Sequence, residues 1–245
     1  MSDYYEFFRG KSIGKVVKKI NQKFKTDDSF FNLDDVRVMY VLCAFEQCLL
    51  NGSDWCRLMD HEDTLTFEYL SDIKQYWINA YGYKVNYQQS CPIMKDLLHS
   101  ILTSVEAHRG GKNYTKGHFM FGHGETLAPV YSDLGLFKDT KPLKAENFQA
   151  QHHRKFRSSY ILPFAANIAI VTYHCVPQEG IYIQRNENDI FMEQATEYIV
   201  QIYLNERLLD IPGCGTSCPM NDFLNKYKKI ESCEFNKVCH LNKSS

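Results

Sequence analysis

In the first half of the chain, apolar residues recur at helical spacing in four stretches. Ile13, Val16, Val17, Ile20 and Phe24 share one helical face, with Lys15, Lys18, Lys19 and Lys23 around it. Asn32 can cap the next helix, and Asp34 and Asp35 in its first turn suit the helix dipole. That helix is apolar nearly all round from Val36 to Leu50, which predicts burial. A third is predicted from about His61 to Tyr81, with Leu65, Tyr69, Ile73, Tyr76 and Ala80 in register and Gly82 as its stop. A fourth opens at Pro92, carries Ile93, Leu97, Ile101, Leu102 and Val105 on one face, and ends at Gly110-Gly111.

Beyond residue 110 the period changes. Gly117 to Gly122 reads as a short apolar strand, and Glu125 to Leu136 as a helix closed by Gly135. Ala165 to Tyr173 is a near-continuous apolar run, expected of a central strand covered on both faces. Tyr198 to Leu204 alternates, and Asn205-Glu206 can turn it into Arg207 to Ile211. Pro219 to Ile230 is a last helix. Alternation of strand and helix predicts an α/β layer, with the first 110 residues a helical layer beside it.

Charge and length narrow the partners. A chain of 245 residues makes one or two domains. Its 28 basic and 29 acidic residues leave a formal charge of −1, with no bias toward nucleic acid or an anionic membrane. The apolar run from Tyr160 to Tyr173 is 14 residues and contains Pro163 and Asn167, short of the roughly 20 apolar residues that a bilayer span needs. Residues 1–25 hold seven Lys/Arg against two acids. A basic amphipathic helix can bind a membrane or a partner, but a surface helix with a solvated lysine face is the plainer reading.

Nine cysteines are many for a cytosolic chain. Close spacing suggests Cys214–Cys218 and Cys233–Cys239 bridges. Three glycosylation sequons, beginning at Asn51, Asn113 and Asn242, also favour an oxidising, secretory compartment. Met1-Ser-Asp-Tyr-Tyr-Glu does not read as a signal peptide. The odd cysteine count fits a chain that lacks its true N-terminal part.

Chemistry concentrates in two places. In Phe121-Gly-His-Gly-Glu-Thr126 a strand ends, glycines flank a histidine, and a helix begins. Ligands of open α/β sheets bind outside such strand ends. His123 and Glu125 there can hold a proton donor over a leaving group, or simply cap the helix. The second place is basic: Phe137 to Tyr160 has six Lys/Arg (Lys138, Lys141, Lys144, Arg154, Lys155, Arg157) against two acids. Guanidinium groups suit phosphate oxygens, although a solvated helix face explains the same charges. A zinc deaminase also needs Pro-Cys-x-x-Cys beside its His-x-Glu. Cys214-Gly-Thr-Ser-Cys218-Pro is misspaced for that, so no metal or cofactor is expected.

These stretches, taken in order, resemble the multiple inositol polyphosphate phosphatases, in the histidine acid phosphatase branch that also holds phytases. The resemblance rests on residues 121–127, on Gly-Leu-Phe-Lys-Asp (135–139), on His-Arg-Lys-Phe-Arg-Ser (153–158), and on Val-Thr-Tyr-His-Cys (171–175) and Leu-Asn-Glu (204–206). Earlier strings, at 53–56, 68–77 and 81–83, and Pro-Gly-Cys-x-x-x-Cys-Pro (212–219) extend it over nearly the whole chain. It implies an α/β sandwich domain with a largely helical cap: 1–114 as cap, 115–245 as the C-terminal part of the α/β domain. It implies hydrolysis of phosphomonoesters on small, anionic inositol polyphosphates, phytate-like in kind, through a phosphohistidine. His123 then takes the place of the second catalytic histidine in a His-Ala-Glu triplet, with Gly124 as its middle residue, and Glu125 that of the acid that protonates the leaving alkoxide. Lys155 and Arg157 fall in the family's basic stretch. The resemblance also implies a Cys56–Cys91 bridge, an unpaired Cys175, and residence in the endoplasmic reticulum lumen or outside the cell. The nucleophile motif Arg-His-Gly-x-Arg-x-Pro does not occur in the 245 residues; His108-Arg109-Gly110 has the order reversed. The expectation is an enzyme whose nucleophile-bearing half lies outside this sequence. The alternative is a non-catalytic relative that binds anionic phosphates or a protein partner through the basic stretch.

Overall fold

The computed structural model describes residues 1–52, 54–176, 198–235 and 237. In chain order its helices are α1 (Ser2–Phe8), α2 (Lys11–Phe24), α3 (Leu33–Leu50), α4 (His61–Asn79), α5 (Lys84–Gln88), α6 (Cys91–Arg109), α7 (Gly124–Asp133), α8 (Ser158–Ile161) and α9 (Met220–Tyr227). Its strands are β1 (Ile168–His174), β2 (Tyr198–Leu204), β3 (Arg207–Leu209) and β4 (Cys218–Pro219). The chain forms two interleaved compact units, one of residues 1–86 with 137–163, the other of 87–136 with 164–245.

In the first unit α2 buries Ile13, Val16, Val17 and Ile20, while Phe24 at its end stays exposed. The lysine face is partly engaged: Lys19 pairs with Asp60 and Asp63 at the start of α4. Asn21, fully buried, is satisfied on every side. Its amide donates to Val17, Asp28 and Phe31 carbonyls and its oxygen accepts from Phe31 N–H, so one side chain fixes the turn into α3. Asn32 caps α3 through Asp34 and Asp35 N–H, and Asp35 reciprocates. The burial expected for α3 is only half met. Val36, Met39 and Cys43 face inward, but Val38, Val41, Phe45, Leu49 and Leu50 are exposed. Among the described residues the buried positions of α3 fall on one side of the helix, so part of an all-round apolar sequence stays exposed. On α4 the expected residues Tyr69, Ile73, Tyr76 and Ala80 are buried, and Leu65 lies at the margin.

In the second unit α6 turns Cys91, Met94, Leu98 and Val105 fully inward. Ile93, Leu97, Ile101 and Leu102, expected at the centre of the buried face, flank that seam half-buried. β2 is the middle of an antiparallel sheet. β1 pairs along its whole length on one edge, from Ile168 opposite Leu204 to His174 opposite Tyr198. β3 and β4 share the other edge. β2 shows the expected alternation, with Tyr198, Val200, Ile202 and Leu204 buried. The turn into β3 uses Asn205 at φ 46 and Glu206 at φ 66, the left-handed pair of a two-residue hairpin.

Two expected strands need correction. β1 is an edge strand, paired only with β2 among the described residues and partly exposed, where its apolar run predicts a covered centre. Residues 117–122 pair with no strand among the described residues, and Phe119 and Phe121 are 81% and 98% exposed. A strand needs a ladder partner, and the described residues supply none here.

Disulfides join Cys43 to Cys56, Cys91 to Cys233 and Cys214 to Cys218. The expected Cys56–Cys91 and Cys233–Cys239 bridges are therefore replaced. A short 3₁₀ turn, Trp55–Leu58, folds Cys56 back onto α3, with Cα atoms 4.6 Å from Cys43. The chain after α9 returns Cys233 to the first turn of α6, 6.2 Å from Cys91 and 142 residues away in sequence. Both spans suit a bridge, and neither follows from close spacing. Cys175 is free. Cys239 and Asn242 lie outside the described residues. Among the described residues no helix is long and apolar enough to cross a membrane.

Candidate functional site

His123 and Glu125 sit at the start of α7 because the chain there changes from extended to helical. His123 holds extended angles (φ −102, ψ 171), and its carbonyl accepts the N–H of Thr126 at 2.9 Å and of Leu127 at 3.2 Å. It is the N-cap by backbone alone: its side chain makes no capping bond, so the imidazole is not spent on the helix. Gly122 just before it leaves room for Thr126: a Cβ there would meet Thr126 side-chain atoms at 3.2 Å, so the threonine would have to shift by a few tenths of an ångström. Glu125 lies in the first turn of α7, where the dipole favours a carboxylate. Pro129 has no N–H to return to the Glu125 carbonyl.

Both functional side chains are exposed. The helix behind them is anchored. Ala128, Val130 and Tyr131 are buried, and so are Leu134 and Leu136 beyond the helix end. Gly135 at φ 77 ends the helix, with Gly135 N–H on the Ser132 carbonyl and Leu136 N–H on that of Tyr131. The arrangement is a rigid stem carrying an imidazole and a carboxyl at the positive end of a helix. Such an end attracts anions, and a carboxyl there can pass a proton to a departing oxygen.

The basic stretch is built for a different end. Arg154 is buried, its side chain 2% exposed, and lies over the Tyr69 ring at 5.0 Å. Its Nε donates to Asp72 at 2.6 Å and its Nη2 to Glu68 at 2.8 Å. Arg157 donates to the same Glu68 through Nη2 at 2.8 Å and Nε at 3.2 Å. Ser158 donates to Asp72 from both its N–H (2.7 Å) and its hydroxyl (2.5 Å), and the Ser159 hydroxyl bonds Glu68. Burial pushes the Asp72 carboxyl up to about 6, against the opposing pull of Arg154 and Ser158. Glu68 and Asp72 stand one helical turn apart on α4, so a single face of that helix holds the whole segment from Arg154 to Ser159. Asp139 adds a clamp, accepting the N–H of Lys155 and Phe156. With Arg154 and Phe156 both turned inward, Lys155 between them is exposed.

Of the residues that sequence singles out, His123 and Glu125 thus stand together in the second unit, and Lys155 and Arg157 in the first. Sequence reasoning missed Glu68 and Asp72. A signal existed: two acids four residues apart on an otherwise apolar helical face need cationic partners. Cys214 and Cys218 have their sulfurs bonded to one another.

Comparison with known proteins gives this site its context. Over 244 residues, 97% of this chain and 51% of the other, the sequence is 36% identical to multiple inositol polyphosphate phosphatase 1 of Gallus gallus. It is 33% identical over 239 residues to the protein of the same name from Homo sapiens, covering 96% of this chain and 46% of that one. More distantly, it is 21% identical over 215 residues to phytase A of Aspergillus awamori, covering 80% and 42%. The chain spans about half the length of these relatives. Residues 8–205 match the model of the histidine phosphatase superfamily (branch 2), and the chain belongs to that family.

Proposed function

We propose that this chain carries the proton-donating part of a phosphatase for inositol polyphosphates. In this reading residues 1–114 form the cap region and 115–245 the C-terminal part of the catalytic domain, in a secretory compartment. The observation that carries it is the pairing of an uncommitted His123 with Glu125 at the N-terminus of α7, in a chain similar to inositol polyphosphate phosphatases. An inositol alkoxide is a poor leaving group until protonated. A histidine nucleophile attacks phosphorus, the P–O bond to the inositol breaks, and Glu125 gives its proton to the departing oxygen. His123, with the positive end of α7, faces the charge on the transferring phosphate. Glu125, now a carboxylate, takes a proton from the water that releases phosphate from the phosphohistidine. No Arg-His-Gly-x-Arg-x-Pro occurs in the sequence, so the nucleophile comes from outside these 245 residues. Lys155, like Lys138 and Lys141, is an exposed cation of the basic stretch and open to a phosphate; Arg157 would first have to release Glu68. That commitment of both arginines speaks against the basic stretch as a phosphate-binding surface in its own right.

The test joins residues 1–245 to the nucleophile-bearing half of the Gallus gallus relative. Glu125→Gln should slow phytate hydrolysis by roughly 100-fold or more, the range for a positioned general acid. p-Nitrophenyl phosphate, whose phenolate leaves without a full proton, should lose much less. Equal losses in kcat/KM on the two substrates would remove Glu125 from this role. Residues 1–245 alone should release no phosphate from phytate at an enzyme-like rate.

A further inference from the structure

In the ion cluster of the first unit one acid serves two bases. Glu68 accepts from Arg154 Nη2 at 2.8 Å and from Arg157 Nη2 at 2.8 Å. Asp72 serves Arg154, whose Nε lies at 2.6 Å and Nη2 at 2.5 Å. With both acids charged, two carboxylates balance two guanidiniums and Arg157 is held. That balance hangs on the charge of Asp72. Its side chain is 0% exposed, and burial pushes its carboxyl up to about 6. The groups that face it are Glu68 and Tyr69 on its own helix, Tyr40 of α3, and Arg154 and Ser158 of the later segment. Burial pushes both tyrosine hydroxyls upward, so they stay neutral while Asp72 titrates.

A proton on Asp72 leaves two guanidiniums and one carboxylate, and the two arginines do not compete for it equally. The Arg154 side chain is 2% exposed, and a charge so buried needs an anion beside it. The Arg157 side chain is 25% exposed and can be solvated. Glu68 therefore stays with Arg154. Arg157 keeps its place over the Tyr160 ring, 4.6 Å from its centroid. We propose that protonation of Asp72 frees Arg157 from Glu68 and opens it as a binding site for a phosphate group. The commitment of both arginines to acids thus holds while Asp72 is charged. A freed guanidinium can take two phosphate oxygens at once. Lys155, exposed two residues earlier, adds a second cation to the same segment. By reciprocity the bound anion raises the proton affinity of Asp72. The site does not rest on the role of Glu125, which belongs to the other unit.

The experiment measures sulfate binding to residues 1–245, because sulfate mimics a phosphate group yet keeps its charge across the range in which Asp72 titrates. Sulfate should bind roughly 5-fold or more tightly once the pH falls below that range, a coupling of ordinary size. Asp72→Asn, which carries no charge at any pH, should show most of that gain at neutral pH, where no histidine has changed its charge between the two proteins. Arg157→Gln should abolish the gain in both backgrounds. In the unsubstituted chain the Arg157 Nε–H resonance should move as Glu68 leaves it, with a midpoint at about pH 6; this reading stands even if Asp72→Asn fails to fold. An Arg157 resonance that stays in place through that range overturns the proposal. So does a folded Asp72→Asn protein that binds sulfate no better than the unsubstituted chain at neutral pH. A gain that survives Arg157→Gln removes Arg157 from the site.

Discussion

Arg154 and Glu125 both come from stretches whose polar residues invite a catalytic reading, and the fold uses them in opposite ways. Arg154 is sunk beneath the surface, with Glu68, Asp72, the Gln151 carbonyl and the Tyr69 ring around its guanidinium. Glu125 stands exposed at the head of a helix whose later turns are buried. The first is a closed account of charge: two guanidiniums against two carboxylates, with two serine hydroxyls on the remaining lone pairs. The second is an open one, an imidazole and a carboxyl held in place by backbone alone. A local excess of positive charge in sequence therefore says little until the acids of other elements are placed. Here they arrive from 82 and 86 residues earlier and cancel half of it.

The comparison breaks first at Glu68. Glu68→Ala would leave Arg154 and Arg157 without their shared acceptor, one of them buried. Removing one partner of a buried ion pair costs about 3–5 kcal/mol, and urea unfolding should show a loss of that size. A loss under about 1 kcal/mol would mean that water reaches the guanidiniums and that this cluster is as open as the other.

A sharper probe is pH. Burial pushes the Asp72 carboxyl up to about 6 in the folded protein, from an ordinary aspartate value of 3.8. Between those values the folded state binds more protons than the unfolded one. The stability that this group contributes is therefore fully present below pH 3.8 and is lost as pH rises through 6. At about 1.4 kcal/mol per unit, the loss across the window is on the order of 3 kcal/mol. Asp72→Asn should flatten that part of the stability–pH curve. An unchanged slope would assign the dependence to other carboxylates.

The two regions also differ in how far the sequence discloses them. The triplet is local: glycines, histidine and glutamate fall within five residues, and the helix behind them shows its period and its Gly135 stop. The β2–β3 hairpin is local too, with Asn205-Glu206 at the turn. The ion network, the Cys91–Cys233 bridge and the edge position of β1 depend on residues far apart, for which spacing carries no signal. Composition overstates burial for the same reason. The α3 sequence records that the helix is apolar, while its neighbours decide which side is covered.

The smallest expected effect is the most discriminating. If Glu125 serves chemistry and not the fold, removing its charge should barely move stability. Glu125 is exposed, and α7 keeps its seat through Ala128, Val130 and Tyr131. The change forfeits only the favourable interaction of a carboxylate with the helix end, about 0.3–1 kcal/mol at low salt and less when screened. Glu125→Gln should therefore shift urea unfolding of residues 1–245 by no more than about 0.5 kcal/mol in physiological salt. Glu68→Gln in the same background should cost several times more, because a neutral amide cannot balance the Arg154 and Arg157 guanidiniums that Glu68 pairs with. Comparable losses from the two substitutions would place Glu125 inside a structural network like that of Arg154, and the contrast between a closed cluster and an open site would fall.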